Sequence, residues 1–469
     1  MRLPLTVLVA AALSLTLSAR GPKYKRPEVD TPAQFRGAAA DASATATATV
    51  ADSKLYERFG DPVLNGLIAE AMTNNLDLRA AAERVQQARA QYGITRSAQL
   101  PQLNANAQFT ASRSSTVGSA VFVPRSANLD VSYTQAGLGL SWELDIWGRI
   151  RSLKAAALAE YLATDEAKHG VQTALIAEVT RGYFEMRAAD LELEIAHKTK
   201  EVAENGLRLT QVRRSGGAAT GLDVRQAEQL LRLANAQIAA SERAVALAEN
   251  ALSLLLGKNP TAIPRGKALE AFIAPAEVPA GLPSSLLDRR PDIRQAEQTL
   301  IAANARIGAA KALYFPQISL TGFLGGQSRG LEELFTGPAR MWNIAPSLSA
   351  PIFNAGRIRA GVKYSEATQR EAALQYQKTV QTAFREVSDS LVSLSKTREQ
   401  REQQQLLVAA LQDSDRLSIL RYKGGMDSYL QVLDAERNLF QGELALSQMR
   451  YQELNSVVQL YRALGGGWQ

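Results

Sequence analysis

The chain has 469 residues, a formal charge of +7, no Cys and two His, His169 and His197. Without Cys there is neither a disulfide nor a thiolate ligand, and two dispersed His supply a metal site or a catalytic base poorly. The basic residues are spread along Ala-, Gln- and Leu-rich stretches and form no basic block interleaved with aromatics. Composition therefore disfavours nucleic acid as a partner, and no cofactor or metal is expected.

Residues 1–19 have the form of an export signal. Arg2 is followed by an apolar run from Leu3 to Leu17, too short to span a bilayer as a helix. Leu17-Ser18-Ala19 resembles the approach to a lipoprotein cleavage site, which requires Cys next. Position 20 is Arg20, so no lipid attachment residue is assigned. Residues 20–60, rich in Pro, Ala and Thr, read as an extended leader on the outside of the molecule. Asp61 before Pro62 marks a helix cap and a first-turn proline, and that helix should end near Asn74-Asn75. A second helix is expected from Leu76 to about Gln99, stopped by Pro101.

The hydrophobic period then changes to two. Leu103, Ala105, Ala107, Phe109 and Ala111 alternate with Gln102, Asn104, Asn106, Gln108 and Thr110. Past a polar stretch, alternation returns in Leu138, Leu140, Trp142, Leu144 and Ile146, completing a hairpin over about 102–146. A matching hairpin over about 317–353 is marked by Ile318, Leu320 and Leu324, then by Trp342, Ile344, Leu348 and Ile352, joined across Gly325 to Arg340. Pro346 and Pro351 fit a bend or a strand end. Four two-faced segments of about ten residues match membrane-spanning strands. Four strands cannot close a barrel, and lipid does not tolerate an open sheet edge. The pattern therefore demands a barrel shared between chains, without fixing their number.

Each hairpin is followed by a long helical stretch, opened by Gly148-Arg149-Ile150-Arg151 or Gly356-Arg357-Ile358-Arg359. Each stretch amounts to roughly 90 Å of helix. A Gly-Gly pair follows, then a return helix, Leu222 to Leu256 or Leu430 to Leu464. The Ala/Gln-rich composition suits close side-by-side packing with one face wet. The chain is thus duplicated. Asp77, Gly93 and Pro101 recur as Asp292, Gly308 and Pro316 at an offset of 215, and Gly216, Glu228 and Gly257 recur as Gly424, Glu436 and Gly465 at 208. The first repeat is placed at 61–260, a linker at 261–283 and the second repeat at 284–469.

Four ordered strings carry a family resemblance: Trp142-Glu143-Leu144-Asp145-Ile146-Trp147-Gly148-Arg149, Leu287-Asp288-Arg289-Arg290-Pro291-Asp292-Ile293, Ala302-Ala303-Asn304-Ala305-Arg306-Ile307-Gly308-Ala309-Ala310, and Ala463-Leu464-Gly465-Gly466-Gly467-Trp468. Together they resemble the TolC/OprM-like outer membrane factors of tripartite RND-type efflux pumps, and within them the NodT-type lipoprotein branch; Arg20 departs from that branch. The resemblance implies a mixed α and transmembrane β fold: a trimeric channel in which four strands per chain form a shared twelve-strand outer-membrane barrel, continued by a long periplasmic α-helical barrel. It implies a passive exit duct for drugs and other small molecules in a Gram-negative outer membrane. The partners it implies are two further copies of the chain, a periplasmic adaptor protein, an inner-membrane RND-type pump and outer membrane lipid.

Three sets of residues are candidates for function. The turns at Gly216-Gly217 and Gly424-Gly425 join helix pairs at the periplasmic tips; their plain reading is a tight helix reversal, and the resemblance implies adaptor docking there. Arg208 and Arg416 lie near these tips, either to position the partner or as solvated helix charges. Leu430, Asp434 and Arg437 share one helical face, whereas the first repeat has Leu222, Gln226 and Gln229. Their plain reading is a surface pair worth a few tenths of a kcal/mol. The asymmetry between repeats favours a constriction, and the resemblance implies the channel gate. Tyr133, Trp142 and Trp342 are candidates for a membrane-interface girdle.

No phosphate loop, zinc-like spacing or nucleophile elbow occurs, so no enzyme is expected. The alternatives are the outer component of type I protein secretion, a heavy-metal efflux duct, and a non-channel helical envelope protein. The last leaves the four alternating segments unexplained.

Overall fold

The computed structural model describes residues 21–32, 34–36, 55–113, 115, 130–274 and 283–466. The export signal, Arg20, most of the leader and the Gly467-Trp468 end of the last family string lie outside the described residues.

Helix α1 (Leu55–Arg58) leads into α2 (Pro62–Asn74), where the Asp61 carboxylate accepts the Val63 N–H at 2.9 Å as the helix cap. Then follow α3 (Leu76–Ser97), β1 (Gln102–Arg113), β2 (Asp130–Leu144), α4 (Arg149–Ser215) and α5 (Gly221–Leu255). The second half repeats the order with α6 (Pro283–Arg289), α7 (Pro291–Ala312), β3 (Gln317–Ser328), β4 (Arg340–Ser349), α8 (Arg357–Lys423) and α9 (Tyr429–Ala463). Helices α4 and α8 have 67 residues each, and α5 and α9 have 35 each. The chain separates into two compact units. One holds residues up to Pro27, Val85–Thr164 and Ala296–Tyr376; the other holds Glu28–Arg84, Asp165–Gln295 and Gln377–Gln469. Each repeat contributes to both.

In the first unit the strands form one antiparallel sheet in the order β1-β2-β3-β4. Ala105 opposes Leu138, Leu138 opposes Leu324, and Leu324 opposes Trp342; Leu103, Leu140, Gly322 and Ile344 form the next row. Directly opposed residues share a face, so one face is apolar across all four strands. The other carries the rows Gln102, Ser141, Thr321, Ala345 and Asn104, Gly139, Phe323, Asn343, mostly polar or small apart from Phe323.

Strand boundaries differ from expectation in three strands, the first being β2, which starts at Asp130, well before Leu138, and stops at Leu144, before Ile146. Strand β3 runs on through Gly325 and Gly326 to Ser328. Glycine weakens a strand, but the Phe323 ring covers this one: a Cβ built on Gly137 or Gly325 would lie 2.7 or 2.8 Å from Phe323 Cζ. Strand β4 stops at Ser349, before Pro351 and the nearly fully exposed Ile352. Pro346 stays within β4, opposite Leu320, where its missing N–H does not interrupt the register with β3.

Outside the sheet, the start of the leader lies along α7. The Gly21 and Gly308 backbones meet where a side chain would collide, Asn304 donates to the Pro22 carbonyl at 2.8 Å, and Tyr24 donates to Glu297 at 2.9 Å. Ala156, Ala159 and Ala302 pack α4 against α7, an approach that only small side chains permit.

The second unit is helical. Leu64, Leu67, Ile68 and Ala71 bury one face of α2, next to edge-to-face contacts of Phe59, Phe184 and Phe272. Asp61 is fully buried, and besides capping α2 it accepts from the Tyr183 hydroxyl at 2.7 Å and the Lys267 N–H at 3.1 Å. The Tyr183 oxygen in turn accepts from Gly266 N–H at 2.9 Å. This network ties α2, α4 and the linker together. Tyr183→Phe removes one donor to the carboxylate and one acceptor for the amide; it is expected to cost about 1–3 kcal/mol in denaturant unfolding, and a cost below half a kcal/mol would show that the network is dispensable.

The repeats share one joint built from different residues. Asn75 Nδ2 donates to the Leu255 carbonyl at 2.9 Å, while its Oδ1 caps Leu78 N–H. At the matching place Arg290 Nη1 donates to the Ala463 carbonyl at 3.0 Å. Both return helices then end on a glycine with positive φ, Gly257 at 71° and Gly465 at 76°, as a helix stop of this kind requires.

Candidate functional site

At the first tip, α4 ends where Ala218 N–H reaches back to the Arg213 carbonyl at 2.8 Å. That closure places Gly217 at φ 76°, with Gly216 just before it. The reversal into α5 is set by a capping box: Thr220 accepts from Asp223 N–H, and the Asp223 carboxylate accepts from Thr220 N–H. At the second tip Gly425 has φ 73°, Gly424 precedes it, and Met426 N–H bonds to the Arg421 carbonyl at 2.9 Å. Ser428 makes no side-chain cap bond. Instead Asp427 accepts two bonds from Arg421, at 2.5 and 3.0 Å, and that guanidinium holds the Asp427 carboxyl below the usual carboxylate range. Both tips are therefore small reversals with open space over Gly217 and Gly425. Arg208 donates to Asn205 and Arg416 to Asp413, each within its own helix.

The two tips are joined by residues that local sequence patterns do not single out. Arg213 on α4 lies 4.5 Å from the Tyr422 ring centroid and donates to its hydroxyl at 2.5 Å. Tyr422 packs on Tyr429 of α9 at 5.1 Å between centroids. The Tyr429 hydroxyl fills a notch at Gly206, where any Cβ would collide with it. Burial pushes the Tyr429 phenol up to about 12, so it is neutral at physiological pH. Around them Ala203, Ala227, Leu230, Val432 and Leu433 form the apolar core of the tip. The only signal available to a sequence reading was the asymmetry itself: Tyr422 and Tyr429 stand where the first repeat has Arg214 and Gly221.

Leu430, Asp434 and Arg437 lie together on an outward face of α9, with Leu430 49% exposed. Arg437 is ion-paired to Asp434, and Asn438 donates to Asp434 at 3.2 Å. The two charged side chains are 55% and 51% exposed, so within a single chain they form a solvated pair on an uncovered face.

The aromatic candidates divide. Trp142 and Trp342 lie on the apolar sheet face, Trp142 opposite Leu320 and Trp342 opposite Leu324. Trp142 Nε1 donates to the Gln99 carbonyl at 3.1 Å, and Trp342 is largely exposed. Tyr133 opposes Thr110 and has the parity of Gln135, which places it on the polar face. It is therefore removed from the girdle: side chains alternate along a strand, and 133 and 142 differ by an odd number. Trp147 stacks on Phe315 at 4.8 Å and donates to the Pro316 carbonyl, beyond the end of β2 and before the start of β3.

Among the described residues no group of three or more His, Asp or Glu could hold a metal ion, and no helix is long and apolar enough to cross a membrane.

A family model described as outer membrane efflux protein matches residues 67–258 and 282–466. The chain is 42% identical over 453 residues to the solvent efflux pump outer membrane protein SrpC of Pseudomonas putida, covering 95% of each chain. It is 36% identical over 465 residues to the cation efflux system protein CusC of Escherichia coli, covering 98% of this chain and 97% of that one. Among solved structures, a membrane protein from Pseudomonas aeruginosa superposes with a TM-score of 0.86 at 37% identity, covering 95% of this chain and all of that one.

Proposed function

The chain belongs to the outer membrane efflux protein family and is an outer membrane channel of an efflux system, and we propose that three copies close a twelve-strand barrel that serves as the exit duct of a tripartite pump. One observation carries this reading. The sheet has one apolar and one largely polar face, yet among the described residues β1 and β4 each pair on one side only. An apolar sheet face suits lipid, but two open edges do not, so β4 of one copy must pair with β1 of the next. Two copies would already supply eight strands; three copies, the number that the family resemblance implies, supply twelve.

In this reading the glycine tips receive a periplasmic adaptor. Gly216-Gly217 and Gly424-Gly425 lack side chains that would hold a helical hairpin away, and two tips per chain give six places per trimer. Leu430, Asp434 and Arg437 face the duct axis and narrow it. An inner-membrane pump of the RND type supplies the energy and the choice of substrate. Relatives of one architecture serve a solvent pump and a cation system, which supports placing selectivity upstream of the duct and assigning it small molecules in general.

Purified protein in detergent should have the mass of three chains and conduct ions in planar bilayers. A well-folded monomer, or a trimer with no conductance in any variant, would return the chain to a structural role in the envelope.

A further inference from the structure

One carboxylate changes company between the repeats. Glu228 on α5 is held by Arg225 at 2.7 Å and Arg232 at 3.0 Å, and these cations keep its carboxyl below the usual range. Its counterpart is Glu436 on α9, at the offset of 208. There the two arginine positions hold Leu433 and Phe440, both buried. Asp415 on α8 stands where the first repeat has Leu207. The second repeat has thus lost both cations and gained a second acid in the same interhelix space.

The geometry is that of two acids short of partners. Asp415 Oδ1 and Glu436 Oε2 are shielded from solvent, and neither has a hydrogen-bond partner among the described residues. Burial, and then the charge of Asp415, push Glu436 up to about 7, and burial raises Asp415. The other charged and titratable groups nearby are committed elsewhere. On α8, Arg416 bonds to Asp413, and Tyr422 bonds to Arg213 of α4. On α9, Arg437 bonds to Asp434, and the Tyr429 hydroxyl sits at Gly206. On α4, Lys200 pairs with Glu204; on α5, Arg225 and Arg232 hold Glu228. A carboxyl that keeps its proton becomes a donor to its neighbour, which relieves desolvation and like-charge repulsion together.

We infer that Asp415 and Glu436 hold one proton between them, and that this proton sets how tightly α8 and α9 close behind Asp434 and Arg437. Glu436 lies two residues beyond Asp434, on the inner side of the same helix turn. The inference rests on the gate reading above for its effect on conduction, and on the buried pair alone for its effect on packing. The direction follows from linkage. A carboxyl raised in the folded state binds its proton more tightly there than when unfolded. Its contribution is complete below the ordinary value of 4.5, declines as pH rises towards about 7, and is lost above that. The duct is therefore tightest in acid and loosens as the pair ionises.

Glu436→Gln keeps the shape and fixes the neutral form. Hydrogen exchange of amides 411–440 is compared at equal pH between full-length wild type and this variant, so that intrinsic exchange rates cancel. At about pH 8 wild type should exchange about tenfold faster than the variant; at about pH 5 the two should agree. Asp415→Asn must reproduce the result, which covers the case in which Glu436→Gln folds poorly. In bilayers, wild-type conductance should rise across the same interval and the variants should stay low. Equal exchange at both pH values overturns the proton-sharing pair. Different exchange with a pH-independent wild-type conductance overturns its coupling to the gate. Absence of conductance in wild type and in Asp434→Ala/Arg437→Ala alike overturns the duct reading itself, and the exchange experiment still reports on the pair.

Discussion

Replacing Asp434 and Arg437 together by Ala should raise mean single-channel conductance about tenfold, by the following reckoning. Each charged side chain is more than half exposed in the single chain, and the Asp434–Arg437 pair spans one helical turn. In the gate reading these charges also contact the neighbouring copy in the closed state alone, and one exposed contact of that kind contributes only about 0.5 kcal/mol. Three copies acting on one closed state give about 1.5 kcal/mol, which corresponds to a factor of about ten in the closed-to-open ratio. The charges are absent from the first repeat, where Gln226 and Gln229 occupy the same places. They are thus not needed to hold such a helix pair together, and the double variant should fold. High salt should reproduce part of the increase in wild type, because the groups are solvated. Conductance indistinguishable from wild type at low and high salt would reduce the pair to a surface contact and leave the closure to Tyr422, Tyr429 and Arg213.

What was legible in the sequence is what local chemistry decides. Period-two alternation around Leu103 and Leu138 marks the strand faces, because a one-residue slip would turn every apolar side chain to the wrong side. Asp61-Pro62 marks a helix start, and Gly217, Gly257, Gly425 and Gly465 mark helix ends, because each of these glycines takes a positive φ that side chains resist. The same parity sets Tyr133 on the face opposite Trp142, although the two are near in sequence. The continuation of β3 through Gly325-Gly326 was not legible, since the covering ring of Phe323 acts on Gly137 across the sheet. Nor were Arg213 on Tyr422, brought together from different repeats, or Asp415 with Glu436, which face each other only because α8 and α9 fold back on one another across the tip turn. Duplication offered one remaining clue. The second repeat departs from the first in charge at 415, 433, 434, 437 and 440, and these five positions fall in one stretch of α8 and α9.

The same comparison yields the largest stability effect, at Arg290. Its side chain is 6% exposed and makes four bonds: two to Asp292 at 2.9 and 2.6 Å, one to Glu386 at 2.8 Å and one to the Ala463 carbonyl at 3.0 Å. The guanidinium thus caps the negative end of α9, holds α8 through Glu386, and fixes the start of α7. The first repeat does the corresponding job with neutral Asn75, which spans the joint to Leu255 without any carboxylate. Arg290→Met fills most of the space but leaves a helix-end carbonyl and two partly exposed acids without their cation, so unfolding free energy should fall by about 2–4 kcal/mol. Asn75→Ala should cost about 1–2 kcal/mol, the loss of one cap and one neutral bond. Arg290→Lys should fall between them, because a single ammonium cannot reach Ala463, Asp292 and Glu386 in one geometry. Denaturant unfolding of the three variants in the same detergent gives the ranking. If Arg290→Met proved no worse than Asn75→Ala, the buried cation would be interchangeable with the amide. The charge at this joint would then have to be explained by contacts that appear only in the assembled channel.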